Sequence, residues 1–137
     1  MALAMKRRVG IVGFRGYSGA ELLRILKRHR QVEVCLLEHR GESDEPPRMR
    51  GDSRPPRLPL AADTVREHKL ALVFLATPPE VSLELAPALL AAGARVVDLS
   101  GAFRLRLPET YRRWYRSEHT QPELLAEAVY GLPEFYR

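Results

Sequence analysis

The sequence predicts an α/β fold: a doubly wound, mostly parallel sheet with helices on both faces. Three observations predict it. Residues 9–12 form a short apolar run that leads at once into glycines at 13, 16 and 19 and then into an amphipathic stretch. Residues 71–76, Ala-Leu-Val-Phe-Leu-Ala, are apolar throughout, as a central parallel strand buried on both faces requires. Strand-like and helix-like patterns then alternate, which is the signature of βαβ units.

The elements follow in order. Residues 9–12 read as a buried strand. Ser18 and Glu21 fit the capping box S-x-x-E and mark a helix start. Leu22, Ile25, Leu26 and His29 fall on one stripe of that helix, with Arg24, Lys27 and Arg28 mostly opposite. Residues 33–38 are the second strand. Its apolar run contains Cys35, which predicts a buried, inert thiol rather than a nucleophile. Residues 39–59 hold five prolines and many charges and read as a surface excursion without regular structure. A short strand is expected near residues 57–60 and a short helix near 62–68. The strand at 71–76 ends in Thr77-Pro78-Pro79-Glu80, a second capping box with Thr77 as N-cap, Pro78 at the first helical position and Glu80 at N3. That helix runs to about residue 92, where Gly93 is the natural left-handed terminator. Residues 95–99 form the next strand. Residues 108–127 are amphipathic and rich in aromatics (Tyr111, Trp114, Tyr115), predicting one or two helices packed on the sheet. Residues 129–134 read as an extended apolar strand running into a turn.

A strand, a glycine turn and a helix in that order make a cradle for a dinucleotide pyrophosphate, in the Rossmann-like manner. Gly13 lets the chain turn sharply, a side chain at Gly16 would collide with a phosphate, and Gly19 lets helix and strand pack closely. The free N–H groups at the helix start then face the anion. The spacing G-x-x-G-x-x-G is a variant of the better-known G-x-G-x-x-G; a glycine-rich turn without a ligand is the competing reading. The candidate coenzyme residues here are Gly13, Arg15, Gly16, Tyr17, Ser18 and Gly19. Glu38 stands 25 residues after Gly13, at the strand end that meets the adenosine ribose in this fold. An acidic residue there binds the ribose hydroxyls of NAD. His39 and Arg40 follow immediately, and a guanidinium there favours the 2′-phosphate of NADP, unless it is simply solvated. The two signals oppose each other. Thr77, Pro78 and Ser100 lie at carboxyl ends of later strands, on the ligand side. Arg104 is a candidate for holding phosphate or carboxylate, the alternative being a turn with a surface arginine.

Composition narrows the classes. The 137 residues are 45% hydrophobic and 28% charged, enough for one domain with a real core. No apolar run is long enough for a signal peptide or a membrane span, which predicts a cytoplasmic protein with no membrane partner. One cysteine excludes an internal disulfide, and no metal site is expected. The net charge of +5 suits a phosphorylated coenzyme and an anionic substrate. Nucleic acid is the other partner such a charge attracts. The basic residues are scattered among acids without aromatic interleaving, so no nucleic-acid partner is expected.

Three ordered motifs carry a resemblance. Gly13-Phe14-Arg15-Gly16-Tyr17-Ser18-Gly19-Ala20-Glu21-Leu22 resembles a family's G-A-S-G-Y-T-G-A-E-L. Val97-Asp98-Leu99-Ser100 with Phe103-Arg104-Leu105 resembles its V-D-L-S-A-D-F-R-L. Tyr130-Gly131-Leu132-Pro133-Glu134 resembles its Y-G-L-P-E. The family is N-acetyl-γ-glutamyl-phosphate reductase, of the aspartate-semialdehyde dehydrogenase-like group. Ala102 stands where that family carries Asp, and Phe14-Arg15 replace a small pair, so Arg15 adds a candidate phosphate contact. The resemblance implies that residues 1–137 are an NADP-binding domain, and that a catalytic domain carrying a nucleophilic cysteine belongs to the longer protein. In that chemistry the thiolate displaces phosphate from an acyl phosphate to give a thioester, which hydride from NADPH reduces to the semialdehyde of arginine biosynthesis. It also implies a full-length homo-oligomer, and a fragment that binds coenzyme but is inactive alone. The alternatives are the related reductase acting on a carrier-linked aminoadipyl phosphate in lysine biosynthesis, and a non-catalytic nucleotide-sensing module.

Overall fold

The computed structural model describes residues 5–39, 53–132 and 134–135. The elements are β1 (Arg7–Val12), α1 (Tyr17–Leu26), β2 (Val32–Glu38), β3 (Arg57–Pro59), α2 (Ala62–Glu67), β4 (Leu70–Leu75), α3 (Pro79–Ala91), β5 (Arg95–Asp98), α4 (Pro108–Tyr115) and α5 (Pro122–Glu127). The strands pair in the order β3-β2-β1-β4-β5, every pair parallel. The first three strands therefore step outward in one direction, and the chain then returns to lay β4 on the other side of β1. That reversal opens a crevice beyond the carboxyl ends of β1 and β4, the place where such sheets bind ligands.

Alternation along the strands builds two apolar layers. Val9 and Ile11 of β1, Val34 and Leu36 of β2, and Leu72 and Phe74 of β4 face α1, meeting Leu22, Leu23 and Leu26. Val12, Cys35, Leu37, Val73 and Leu75 face the other way, against Val65 of α2 and Ala86 and Leu89 of α3. Helices thus cover both faces. Cys35 is 1% exposed, the buried thiol that its apolar run predicts. A third cluster, Leu83, Ala102 and Tyr111, roots α4 on α3.

Five expectations need correction. The helix α1 begins at Tyr17 with Gly16 as its N-cap and no side-chain cap, so Ser18 and Glu21 form no capping box. The tight turn, closed by the Gly16 N–H donating to the Gly13 carbonyl at 3.1 Å, starts the helix two residues early, and Glu21 pairs with Arg24 instead. The buried stripe of α1 uses Leu23 in place of Ile25, which is 53% exposed, and His29 is exposed too. The α3 box also fails: Pro78 is the N-cap without a side-chain bond, and Thr77 turns its hydroxyl to Ser82 at 2.9 Å. Trp114 is 70% exposed, because Tyr111 and Tyr115, which stack on each other, take the inner face of α4. Described residues 128–132 form no strand: no neighbouring strand pairs with them, and an extended segment alone leaves its backbone groups to water. Pro133 lies outside the described residues.

Candidate functional site

The crevice is bordered by the carboxyl-terminal ends of four strands, β1, β2, β4 and β5. At the end of β1, Gly13 adopts φ +80°, a left-handed conformation that a side chain rarely takes, and a Cβ there would lie 2.1 Å from the Ala76 carbonyl oxygen. The chain after β4 is held against this turn by the Ala76 N–H donating to Val12 O at 3.0 Å. Gly19 is equally constrained: a Cβ would stand 2.2 Å from Gly13 O and 2.7 Å from Phe14 Cα. Gly16 differs in kind. A Cβ on it would meet nothing closer than Gly13 O at 3.5 Å. Two of the three glycines are thus required by the fold itself, and the third opens onto empty space.

That space lies at the start of α1. The first helical bond is donated by Ala20 to Gly16 O at 2.9 Å, so the N–H groups of Tyr17, Ser18 and Gly19 lie ahead of it, with no side-chain cap covering them. Tyr17 is fully exposed and Ser18 is exposed. An anion fits here: the backbone donors converge, the macrodipole is positive, and no side chain of the turn intrudes. A nicotinamide coenzyme's pyrophosphate is such an anion.

The end of β2 holds a charge cluster. Arg15 grips Glu38 with two bonds, Nη1 to Oε2 at 2.8 Å and Nη2 to Oε1 at 2.9 Å, and Arg57 Nη1 stands 3.6 Å from Glu38 Oε1. Both guanidinium groups lie over the ring of Phe14, at 4.9 and 5.4 Å from its centroid. Arg15 and Glu38, singled out separately in the sequence, are therefore partners. His39 follows half-buried, and Arg40 lies outside the described residues.

The ends of β4 and β5 are tied by a polar chain that sequence reading missed. Ser82, 0% exposed on α3, donates its hydroxyl to Asp98 Oδ1 at 2.7 Å. Having given away its proton, it accepts from Thr77 Oγ1 at 2.9 Å. Asp98 also accepts from the Ser100 N–H at 3.1 Å and from Ser100 Oγ at 2.7 Å, and Ser100 Oγ accepts from the Ala102 N–H at 3.0 Å. Thr77 and Ser100 thus meet through Ser82 and Asp98. A second missed residue, His119, is buried: its Nδ1 accepts from the Gln121 N–H at 3.1 Å, so Nε2 carries the proton and donates to Ala102 O at 2.9 Å. The signal that could have found Ser82 is a small hydroxyl set directly between Val81 and Leu83; His119, between Glu118 and Thr120, carries no such signal. Ala102 itself is 0% exposed.

Arg104 sits apart from the glycine turn. It lines a cavity of about 620 Å³ along β5, with Leu90, Val97, Leu99, Ser100 and Tyr130. Ser100 is the one candidate coenzyme residue on that lining; Gly13, Gly16 and Thr77 are not. Among the described residues no three His, Cys, Asp or Glu side chains could hold a metal ion, and no helix is long and apolar enough to cross a membrane.

Comparison with known proteins adds an independent line. Residues 8–137 match the family described as "Semialdehyde dehydrogenase, NAD binding domain". The chain is 48% identical to an N-acetyl-gamma-glutamyl-phosphate reductase of Azotobacter vinelandii, over 95% of this chain and 39% of that protein. It is 42% identical to a [LysW]-L-2-aminoadipate/[LysW]-L-glutamate phosphate reductase of Sulfolobus acidocaldarius, over 94% of this chain and 38% of the relative. It therefore spans about two fifths of the length of these curated relatives. Among solved structures it resembles aspartate semialdehyde dehydrogenase II of Vibrio cholerae, with a TM-score of 0.57 and 22% identity over 73% of this chain and 32% of the other, a likeness of fold.

Proposed function

The chain belongs to the semialdehyde dehydrogenase NAD-binding domain family, and from that premise we propose that it is the NADP-holding domain of an N-acetyl-γ-glutamyl-phosphate reductase. The observation that carries the reading is Gly16, a glycine that the fold does not need, facing open space ahead of uncapped helical N–H groups. In this reading Gly13 and Gly19 shape the turn, and the N–H groups of Tyr17, Ser18 and Gly19 hold the pyrophosphate. Thr77, Pro78 and Ser100 would line the crevice beside the bound coenzyme, and the Asp98 network ties that rim together. The bound coenzyme supplies hydride for reducing an activated acyl group to the semialdehyde. This chain supplies position: backbone donors hold the anion, and Arg104 stands on the substrate side.

These 137 residues offer no thiol suited to the nucleophile's part. Cys35, the single cysteine here, is buried under α2 and α3 on the second strand and cannot meet an acyl phosphate. The fragment is accordingly expected to bind coenzyme without turning over. The relative from Sulfolobus acidocaldarius favours a second reading, a reductase of carrier-linked aminoadipyl phosphate, which uses the same coenzyme domain.

Calorimetric titration of the chain with NADPH and with NADH tests the proposal. Saturable binding of NADPH, stronger than that of NADH, is the expected outcome. Failure of both to bind overturns it.

A further inference from the structure

The hydrogen-bonded chain at the ends of β4 and β5 does not stop at Ala102. We infer that His119 is a positioning residue: its neutral imidazole fixes the loop 100–104, which carries Ser100 and Arg104. The inference rests on the coenzyme-domain reading and adds what holds the residues offered to coenzyme and substrate in place.

The loop has no strand to hold it. Leu99 donates its N–H to Leu75 O at 2.9 Å, and beyond it the chain leaves the sheet. Side chains take over. Ser100 Oγ accepts from the Ala102 N–H at 3.0 Å, and His119 Nε2 donates to the Ala102 carbonyl at 2.9 Å. The Ala102 backbone is thus gripped at both N–H and C=O, in a residue that water does not reach. Tyr115 closes on the loop as well, its ring filling the space that a Cβ on Gly101 would need. The imidazole is itself aimed. Its Nδ1 accepts from the N–H of Gln121, the N-cap of α5. Phe103 and Tyr111 meet it edge to face, at 5.4 and 4.8 Å between ring centroids. One line of hydrogen bonds therefore runs from Ser82 of α3 through Asp98, Ser100 and Ala102 to His119 and Gln121. An apolar ring of the same size would fill the site and hold neither end, leaving a buried carbonyl without a donor.

Two variants of the full chain separate the two bonds. His119→Gln places an amide donor where Nε2 stands. His119→Asn places an amide oxygen where Nδ1 stands and stops short of Ala102. NADPH titration, with circular dichroism to check folding, is expected to show His119→Asn weakened about tenfold and His119→Gln within about threefold of the parent. Amide exchange in His119→Asn is expected to quicken about tenfold at Ala102 while Val73 of β4 stays within about twofold, a local effect that a merely structural histidine would not give. In the unaltered chain, nitrogen NMR of the imidazole is expected to find the proton on Nε2 at neutral pH, a result that needs no variant to fold. A proton on Nδ1, exchange that quickens equally at Ala102 and Val73, or equal affinities in the two variants would each overturn the role. If the parent binds NADPH and His119→Asn binds it as well, the positioning role is wrong and the coenzyme-domain reading stands. If the parent binds no NADPH, that reading fails and takes the role with it.

Discussion

Residues at the first turn divide into those the fold needs and one it does not. Gly19→Ala drives a Cβ to 2.2 Å from a backbone oxygen, a clash that no rotamer relieves. Overpacking of this kind costs about 1–3 kcal/mol, and chemical denaturation should register at least that loss. Gly16→Val meets no such obstacle, since Gly16 has φ −77° and ψ 169°, a conformation valine tolerates. Its melting temperature should stay near that of the parent while coenzyme binding disappears. Retained binding would remove the pyrophosphate from this turn. Spacing alone could not separate the two glycines, because both satisfy the same motif; distances to the surrounding backbone separate them.

Among the elements, α3 and β5 are joined by one buried hydroxyl. Ser82→Ala deletes the donor to Asp98 Oδ1 and the acceptor for Thr77 within an enclosed site. Leaving buried polar groups short of partners costs about 1–3 kcal/mol, measurable by urea unfolding, and weaker coenzyme binding should follow as the rim loosens. The helix α4 makes a different prediction. Tyr111 is buried on its inner face; burial first, then the neighbouring Tyr115, raises its pKa above the ordinary 10.0. The folded protein keeps a proton that the unfolded chain releases, so this contribution is complete below pH 10.0 and declines as pH rises beyond it. Tyr111→Phe should flatten the alkaline decline in stability, read from denaturant midpoints across that range. Element existence was legible: each strand and helix from 9 to 127 lies within a few residues of its apolar pattern. The caps were not legible. S-x-x-E and T-x-x-E name groups that can bond, and the turn geometry at Gly16 and Pro78 decides whether they do.

For the molecule as a whole, the expected consequence of binding is mass-action stabilisation. Coenzyme at about a hundred times its Kd adds about 2.7 kcal/mol, which for a domain of this size raises the melting temperature by roughly 10 °C. A thermal scan in which NADPH moves the transition more than NADH does would agree with an NADP-holding domain. The sequence by itself determined the alternation of strands and helices, the layered core and the position of the glycine turn. These follow from periodicity and from backbone sterics, which act between residues close in the chain. It also placed Glu38 and Arg15 as candidates, each for a separate role. Only the tertiary structure decided that they bind each other, that Arg57 joins them from another strand, and that Ser82 and Asp98 tie the rim together. Those contacts span gaps of 16 to 23 residues in sequence. Which charges meet across such a gap depends on strand order and register, and these emerge only when the sheet is assembled.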